Sequence, residues 1–130
     1  MQTDSNPELS IKELVLEDSA QSYLKVTSED KILTNPPNQQ KHNIEGRYPS
    51  LIVYLPTGEI VIEEIETEST VNEAKVSKWE DLANLGHDFR LIVPLSKLDL
   101  AKSLTAHLTN INIQAYEVTG DQVQWFGKNS

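Results

Sequence analysis

Two apolar runs joined by one short turn constrain this chain more than anything else in it. Arg47-Tyr48-Pro49-Ser50-Leu51-Ile52-Val53-Tyr54 precedes Leu55-Pro56-Thr57-Gly58-Glu59, and Val61-Ile62-Glu63-Glu64-Ile65-Glu66-Thr67-Glu68 follows. β-Branched and apolar residues fill the middle of each run, so both read as buried strands. Pro56 suits the first central position of a type I turn and Gly58 the left-handed position after it, which makes a three-residue hairpin loop with a bulge. That register pairs Leu55 with Glu59 and, counting back equally on each side, Ser50 with Glu64. Ser50, Ile52 and Tyr54 then share a face with Ile62, Glu64 and Glu66. A two- or four-residue loop would set Ser50 against Ile65 instead. The second strand ends in packed carboxylates, and burying charge is costly unless the charges bind something or face water.

The rest of the chain supplies elements to cover such a hairpin. From Pro7 to about Asp30 the spacing of Leu9, Ile11, Leu14, Val15, Tyr23 and Leu24 predicts helix, with Glu17-Asp18-Ser19 as a point where it can divide. Thr34 to Gln40 is polar and contains Pro36-Pro37, so it is a loop. Thr70-Val71-Asn72-Glu73 has the capping-box pattern and predicts a helix to Leu85 with Gly86 as its stop. Val71, Ala74, Val76, Trp79, Leu82, Ala83 and Leu85 form its apolar arc, and Lys75 and Lys78 fall inside that arc rather than opposite it. Phe89 to Val93 is a strand ended by Pro94. Ser96 with Asp99 opens a further helix, Ile111, Ile113 and Ala115 alternate as a strand, and Val123 to Phe126 adds a short edge. The order helix, β-hairpin, helix, strand, helix, strand defines a mixed α/β sandwich whose last strands pair in parallel. The length of 130 residues fits one domain over 1–130, with 1–6 expected to fray.

Composition narrows the functions. The formal charge of −9, from 20 acidic against 11 basic residues, weighs against nucleic acid as a partner, since that binding rests on neutralising phosphates. It does not exclude a metal-dependent nuclease, which also gathers carboxylates. The absence of cysteine removes disulfides, thiol catalysis and zinc–cysteine sites. His42, His87 and His107 are dispersed, without metal-ligand spacing. No apolar run reaches membrane-spanning length, and Met1 to Asn6 has neither the basic start nor the apolar stretch of an export signal, so the expected location is the cytoplasm without membrane contact. Serine-hydrolase motifs, glycine-rich phosphate loops and dinucleotide fingerprints are absent.

Pro49-Ser50 on one strand and Glu64-Ile65-Glu66 on the next resemble the core of the PD-(D/E)xK (restriction-endonuclease-like) nuclease superfamily. The likeness spans residues 44–118. In that pattern an Asp follows the Pro and the second strand carries Glu/Asp-x-Lys. Here Ser50 occupies the Asp position and Glu66 the Lys position. The resemblance implies a restriction-endonuclease-like mixed sheet flanked by helices, with Mg²⁺ or Mn²⁺ held by Glu64 and Glu66. It also implies that Lys75 and Lys78 can stand in from the helix for the missing strand Lys. A neutral hydroxyl such as Ser50 is a poor ligand for a hard dication, which leaves Glu45, Glu59, Glu63 or Glu68 to compensate.

Three functions follow as expectations. The first is a catalytically degenerate nuclease-like protein acting as a binding or accessory protein in nucleic-acid metabolism. The second is an active Mg²⁺- or Mn²⁺-dependent nuclease with a rearranged site, and the third an unrelated acidic protein-interaction module. Each residue also has a plainer reading. Glu63 faces solvent or the opposite layer. Lys75 and Lys78 lie over the core and pair with Glu64 or Glu66. Arg47 is a phosphate contact or a surface charge, Trp79 is core, and Trp125-Phe126 is either a core lid or a homodimer contact.

Overall fold

A computed structural model describes residues 7–127. The expected frayed segment 1–6 lies outside the described residues. Helix α1 (Pro7–Ser22) is followed by two 3-10 turns and strand β1 (Ile32–Thr34). Next come β2 (Leu51–Tyr54), β3 (Ile60–Ile65), α2 (Val76–Ala83), β4 (Asp88–Pro94), α3 (Leu98–Leu104), β5 (Asn112–Thr119) and β6 (Gln122–Phe126). The six strands form one sheet in chain order. β1, β2 and β3 run antiparallel, β3, β4 and β5 are parallel, and β6 returns antiparallel on β5. The α/β class and the parallel pairing expected of the later strands are both present.

The hairpin follows its turn chemistry. The amide of Leu55 donates to the carbonyl of Glu59 and that of Gly58 to the carbonyl of Leu55, both at 2.9 Å. Gly58 has a φ of +95°, the conformation for which the bulge needs glycine. Leu51 opposes Glu63, so Ser50 comes beside Glu64 as the loop length required.

Each sheet face has its own apolar core. α1 covers one, where Val15, Leu16 and Tyr23 pack on Leu51, Val53, Val61, Ile65, Ile92 and Tyr116. α2 and α3 cover the other, where Trp79, Leu82, Ala83 and Ala101 pack on Ile52, Ile62, Phe89, Leu91 and Val93. The period of two along β3 therefore sends Glu63 toward α1, and Glu64 and Glu66 toward α2.

Three local expectations are corrected. α1 does not divide at Glu17-Asp18-Ser19: Glu17 and Asp18 project outward, and the Ser19 hydroxyl binds Glu63 instead of competing for the helix backbone. Thr70 is not the cap of the following helix, because its hydroxyl turns back to Thr67. Asn72 caps instead, accepting from the amide of Ala74 at 3.0 Å, and a 3-10 turn (Glu73–Lys75) leads into α2. Ser96 does not open α3 either: a 3-10 turn intervenes and its hydroxyl donates to Glu68. Strand β1 has no counterpart in the sequence reading.

Candidate functional site

The three buried carboxylates of the hairpin, Glu63, Glu64 and Glu66, are 2% exposed or less, and each has a different set of partners. Glu64 Oε1 accepts from the Ser50 amide at 3.0 Å and the Ser50 hydroxyl at 3.2 Å. The same hydroxyl accepts from the amide of Ile65 at 3.0 Å, which fixes its rotamer. On the other oxygen, Lys78 Nζ stands 2.6 Å from Glu64 Oε2. Glu66 Oε2 accepts from Trp79 Nε1 at 2.8 Å, and Lys75 Nζ lies 3.6 Å from its Oε1. The carboxylates thus form two pairs with lysines from the turn and helix that cover them. Trp79 is core, as expected, and also a hydrogen-bond donor to the site.

The electrostatics follow from burial. Burial, and then the charge of Glu64, push the Glu66 carboxyl above the ordinary range, against the opposing pull of Trp79 and Lys75. Burial alone would lower the Lys78 ammonium, but the charge and hydrogen bond of Glu64, with Glu66 behind it, raise it instead. Lys78 is consequently held as a cation against Glu64.

A cavity of about 460 Å³ opens over Ser50, Glu64 and Lys78. Its wall is the loop 35–40, and Tyr48 and Lys12 complete it. Asn35 builds that wall: buried, it donates to the carbonyls of His42 and Pro49 at 2.8 and 2.7 Å and accepts from the amides of Lys41 and His42 at 2.8 Å each. All four hydrogen-bonding positions of its amide are filled, so the loop is tied to the chain immediately before Ser50. A smaller cavity of about 130 Å³ lies over Glu66 and Lys75, and Lys12 lines this one too. Lys12, Asn35 and Tyr48 carried no motif in the sequence. Only the fold brings α1 and the loop to the ends of β2 and β3.

The remaining candidates lie elsewhere. Glu63 faces the opposite layer, where Ser19 Oγ and Tyr23 Oη donate to its two oxygens at 2.5 Å each. Arg90 Nη1 in turn donates to Tyr23 Oη at 3.2 Å. Glu45 pairs with His87, Glu59 accepts from Thr57 in the hairpin loop, and Glu68 accepts from Ser96, so none of them joins Glu64. Arg47 makes a two-pronged pair with Asp81 at 2.8 and 2.9 Å and is a surface charge. His107 pairs with Glu80. Trp125 is half-buried, meets Tyr116 edge-on at 6.5 Å between ring centroids, and donates to Asp18 at 2.6 Å, which makes it a lid on the α1-side core.

The donor set does not fit Mg²⁺ or Mn²⁺ as the resemblance implied. A hard dication needs several converging anionic oxygens. Ser50 supplies a hydroxyl already bonded on both sides, and an ammonium occupies the free oxygen of Glu64. Among the described residues no cluster of three or more His, Asp or Glu side chains is arranged for a metal ion. No helix among them is long and apolar enough to cross a membrane. No family model matches the chain, and no curated protein matches it in sequence.

Proposed function

We propose that this chain is a restriction-endonuclease-like protein whose hydrolytic site has become a binding site, acting as an accessory protein in nucleic-acid metabolism. One observation carries the reading. Glu64, at the metal-ligand position of the resemblance, is held by the amide and hydroxyl of Ser50 on one oxygen and by the Lys78 ammonium on the other. The lysine neutralises locally the charge that a dication would otherwise balance. Lys12, Lys75 and Lys78 gather at adjoining cavities of an otherwise acidic chain, and Tyr48 with Asn38, Gln39 and Gln40 lines the mouth of the larger one. Such a surface suits a polynucleotide, its phosphates on the ammonium groups and its bases against the ring and amides.

The test combines cleavage with binding. The purified protein is incubated with single- and double-stranded DNA and RNA in Mg²⁺ and then Mn²⁺, and amide shifts of Ser50, Glu64 and Glu66 are followed as each metal is titrated. No cleavage, small metal-induced shifts, and salt-sensitive retention of at least one nucleic acid are the expected results. Robust cleavage that Glu64→Ala abolishes would overturn the reading in favour of an active nuclease. Absence of any nucleic-acid binding would leave the acidic interaction module.

A further inference from the structure

A second concavity lies away from the carboxylates, between α1 and the sheet edge. Its volume is about 310 Å³. Leu16, Ala20 and Leu24, on one stripe of α1 and the turn after it, supply apolar surface, and Leu24 is 44% exposed. Glu13, Glu17 and Glu29 rim it, and no Lys or Arg among the described residues lines it. Its remaining side is β1, represented by Ile32 and Thr34.

Among the described residues β1 is a sheet edge, paired with β2 alone. The amide of Asn35 donates to the carbonyl of Ser50 at 2.9 Å, which marks that pair as hydrogen-bonded. In an antiparallel ladder such pairs alternate, so Leu33 bonds with Ile52 while Ile32 and Thr34 turn their backbone groups the other way. The Ile32 amide is taken up by the carbonyl of Glu29. The Ile32 carbonyl and both backbone groups of Thr34 are thereby directed at the open edge, beside the groove. Edge strands are normally blunted by shortness, proline, bulges or inward charges; β1 has only three residues, but no proline, bulge or charge interrupts Ile32–Thr34.

The geometry points to a docking site for an extended, cationic peptide that adds to β1 as a seventh strand. Backbone bonds to Ile32 and Thr34 set the register. Successive side chains of an added strand point to opposite sheet faces, so those on the α1 face meet the groove. Apolar ones lie on Leu16, Ala20 and Leu24, and Lys or Arg two residues away on the same face meets Glu13, Glu17 and Glu29. The charge of the rim selects the partner, since an acidic strand would meet three carboxylates without a counter-charge. Pro36 borders both this groove and the larger cavity, so a bound strand would touch the loop that walls Glu64 and Lys78. This inference does not depend on what that cavity binds.

The full chain is titrated with three short synthetic peptides, followed by amide shifts and hydrogen exchange. One carries Val and Lys in turn at every second position with Thr between them, so that both fall on one strand face. One has Glu in place of those lysines, and the third keeps the lysines of the first but carries prolines that forbid strand pairing. The Val–Lys peptide is expected to bind with protection of the Thr34 amide, and the other two to bind at least about tenfold more weakly. Glu13→Lys with Glu17→Lys, both at exposed positions that leave the core intact, should reverse the charge preference. Thr34→Pro removes an outward amide without touching a bond to β2 and should weaken binding of the Val–Lys peptide at least about tenfold. Equal binding of the proline-containing peptide would overturn the proposal, as would shifts outside β1 and α1 or an unchanged preference in the double Lys variant.

Discussion

Tyr23→Phe removes one oxygen atom, and its consequences can be worked from the structure. Glu63 is fully buried on the α1 face and accepts Ser19 Oγ and Tyr23 Oη on separate oxygens. Tyr23 Oη also accepts from Arg90, so one hydroxyl links the carboxylate to its nearest guanidinium. Burial, then the charge and hydrogen bond of Glu63, push the Tyr23 phenol far above its ordinary value against the opposing effect of Arg90, so it remains a donor throughout the working range. Losing a hydrogen bond to a charged, desolvated group costs about 2–3 kcal/mol. Unfolding entropy for a chain of 130 residues is about 0.27 kcal/mol per degree, so Tm should fall by about 7–11 °C. Thermal and urea denaturation measure both figures. Phe fits the same apolar cluster, so little packing is lost. Replacing the acceptor as well, in Tyr23→Phe with Ser19→Ala and Glu63→Met, should cost much less than the sum of the single changes, because no buried carboxylate is left without its donors. A Tyr23→Phe cost below about 0.5 kcal/mol would refute the claim that this hydroxyl anchors α1 to the sheet, given the usual range for such bonds.

The other predictions concern the carboxylate pairs and the hairpin. Ser50→Asp combined with Lys78→Met adds an anionic ligand beside Glu64 and removes the competing cation, so Mn²⁺ affinity by calorimetry should rise at least about tenfold. No gain would mean that the side chains do not converge on an ion. Glu66 is raised by burial and then by Glu64, so its contribution to stability is present below its unfolded value and is lost as pH rises through the folded one. Glu66→Gln should therefore flatten the decline of the urea midpoint above about pH 4.5, and a midpoint profile unchanged by the substitution would refute it. Lys78 is raised above its ordinary value by Glu64 and Glu66 despite burial, so its contribution is complete below the unfolded value and fades as pH climbs past the folded one. In Lys78→Met the alkaline loss of stability should begin less steeply, as denaturation at rising pH would show. Gly58→Ala meets nothing within 4 Å of the added Cβ, so its cost is the positive φ alone, about 1 kcal/mol by urea denaturation.

What the sequence disclosed and what it hid divide along physical lines. Pro56-Thr57-Gly58 is a local instruction, and local turn geometry was enough to place Ser50 beside Glu64 across the hairpin. The helical phase of Lys78 was equally legible, because an angle around a helix needs no tertiary information, whereas Lys75 reaches Glu66 from the 3-10 turn before α2. β1 was not legible: three residues after a polar stretch carry little strand signal, and pairing with β2 creates the strand. The start of α2 was misplaced because Thr70 and Asn72 both have cap chemistry, and the choice is made by Thr67, which draws off the Thr70 hydroxyl. Lys12 was missed because nothing local ties the first half of α1 to the ends of β2 and β3. A signal for the Glu63 partners did exist. Ser19 and Tyr23, four apart, lie on one helix face and are polar in a stripe shared with Val15 and Leu16.

Alternation along β3 explains how one strand carries three buried carboxylates with opposite consequences. Glu63 meets hydroxyls, which donate hydrogen bonds without bringing charge, so its burial commits it to fixing α1 in place. Glu64 and Glu66 meet ammonium groups at the margins of solvent-open cavities, where Lys78 is 46% and Lys75 33% exposed. The exposed side of each ammonium keeps donors to spare, so a lysine here can take a second anion while it stays paired with its buried carboxylate. A phosphate entering the larger cavity can therefore recruit Lys78 without unfolding the site, while Ser50 keeps Glu64 in place. Asp at position 50 would add a second anion there and hold Lys78 more firmly. The neutral hydroxyl both weakens the claim of a metal on the site and leaves the lysine available to a polyanion, so the departure from the nuclease pattern and the proposed binding role have one physical cause.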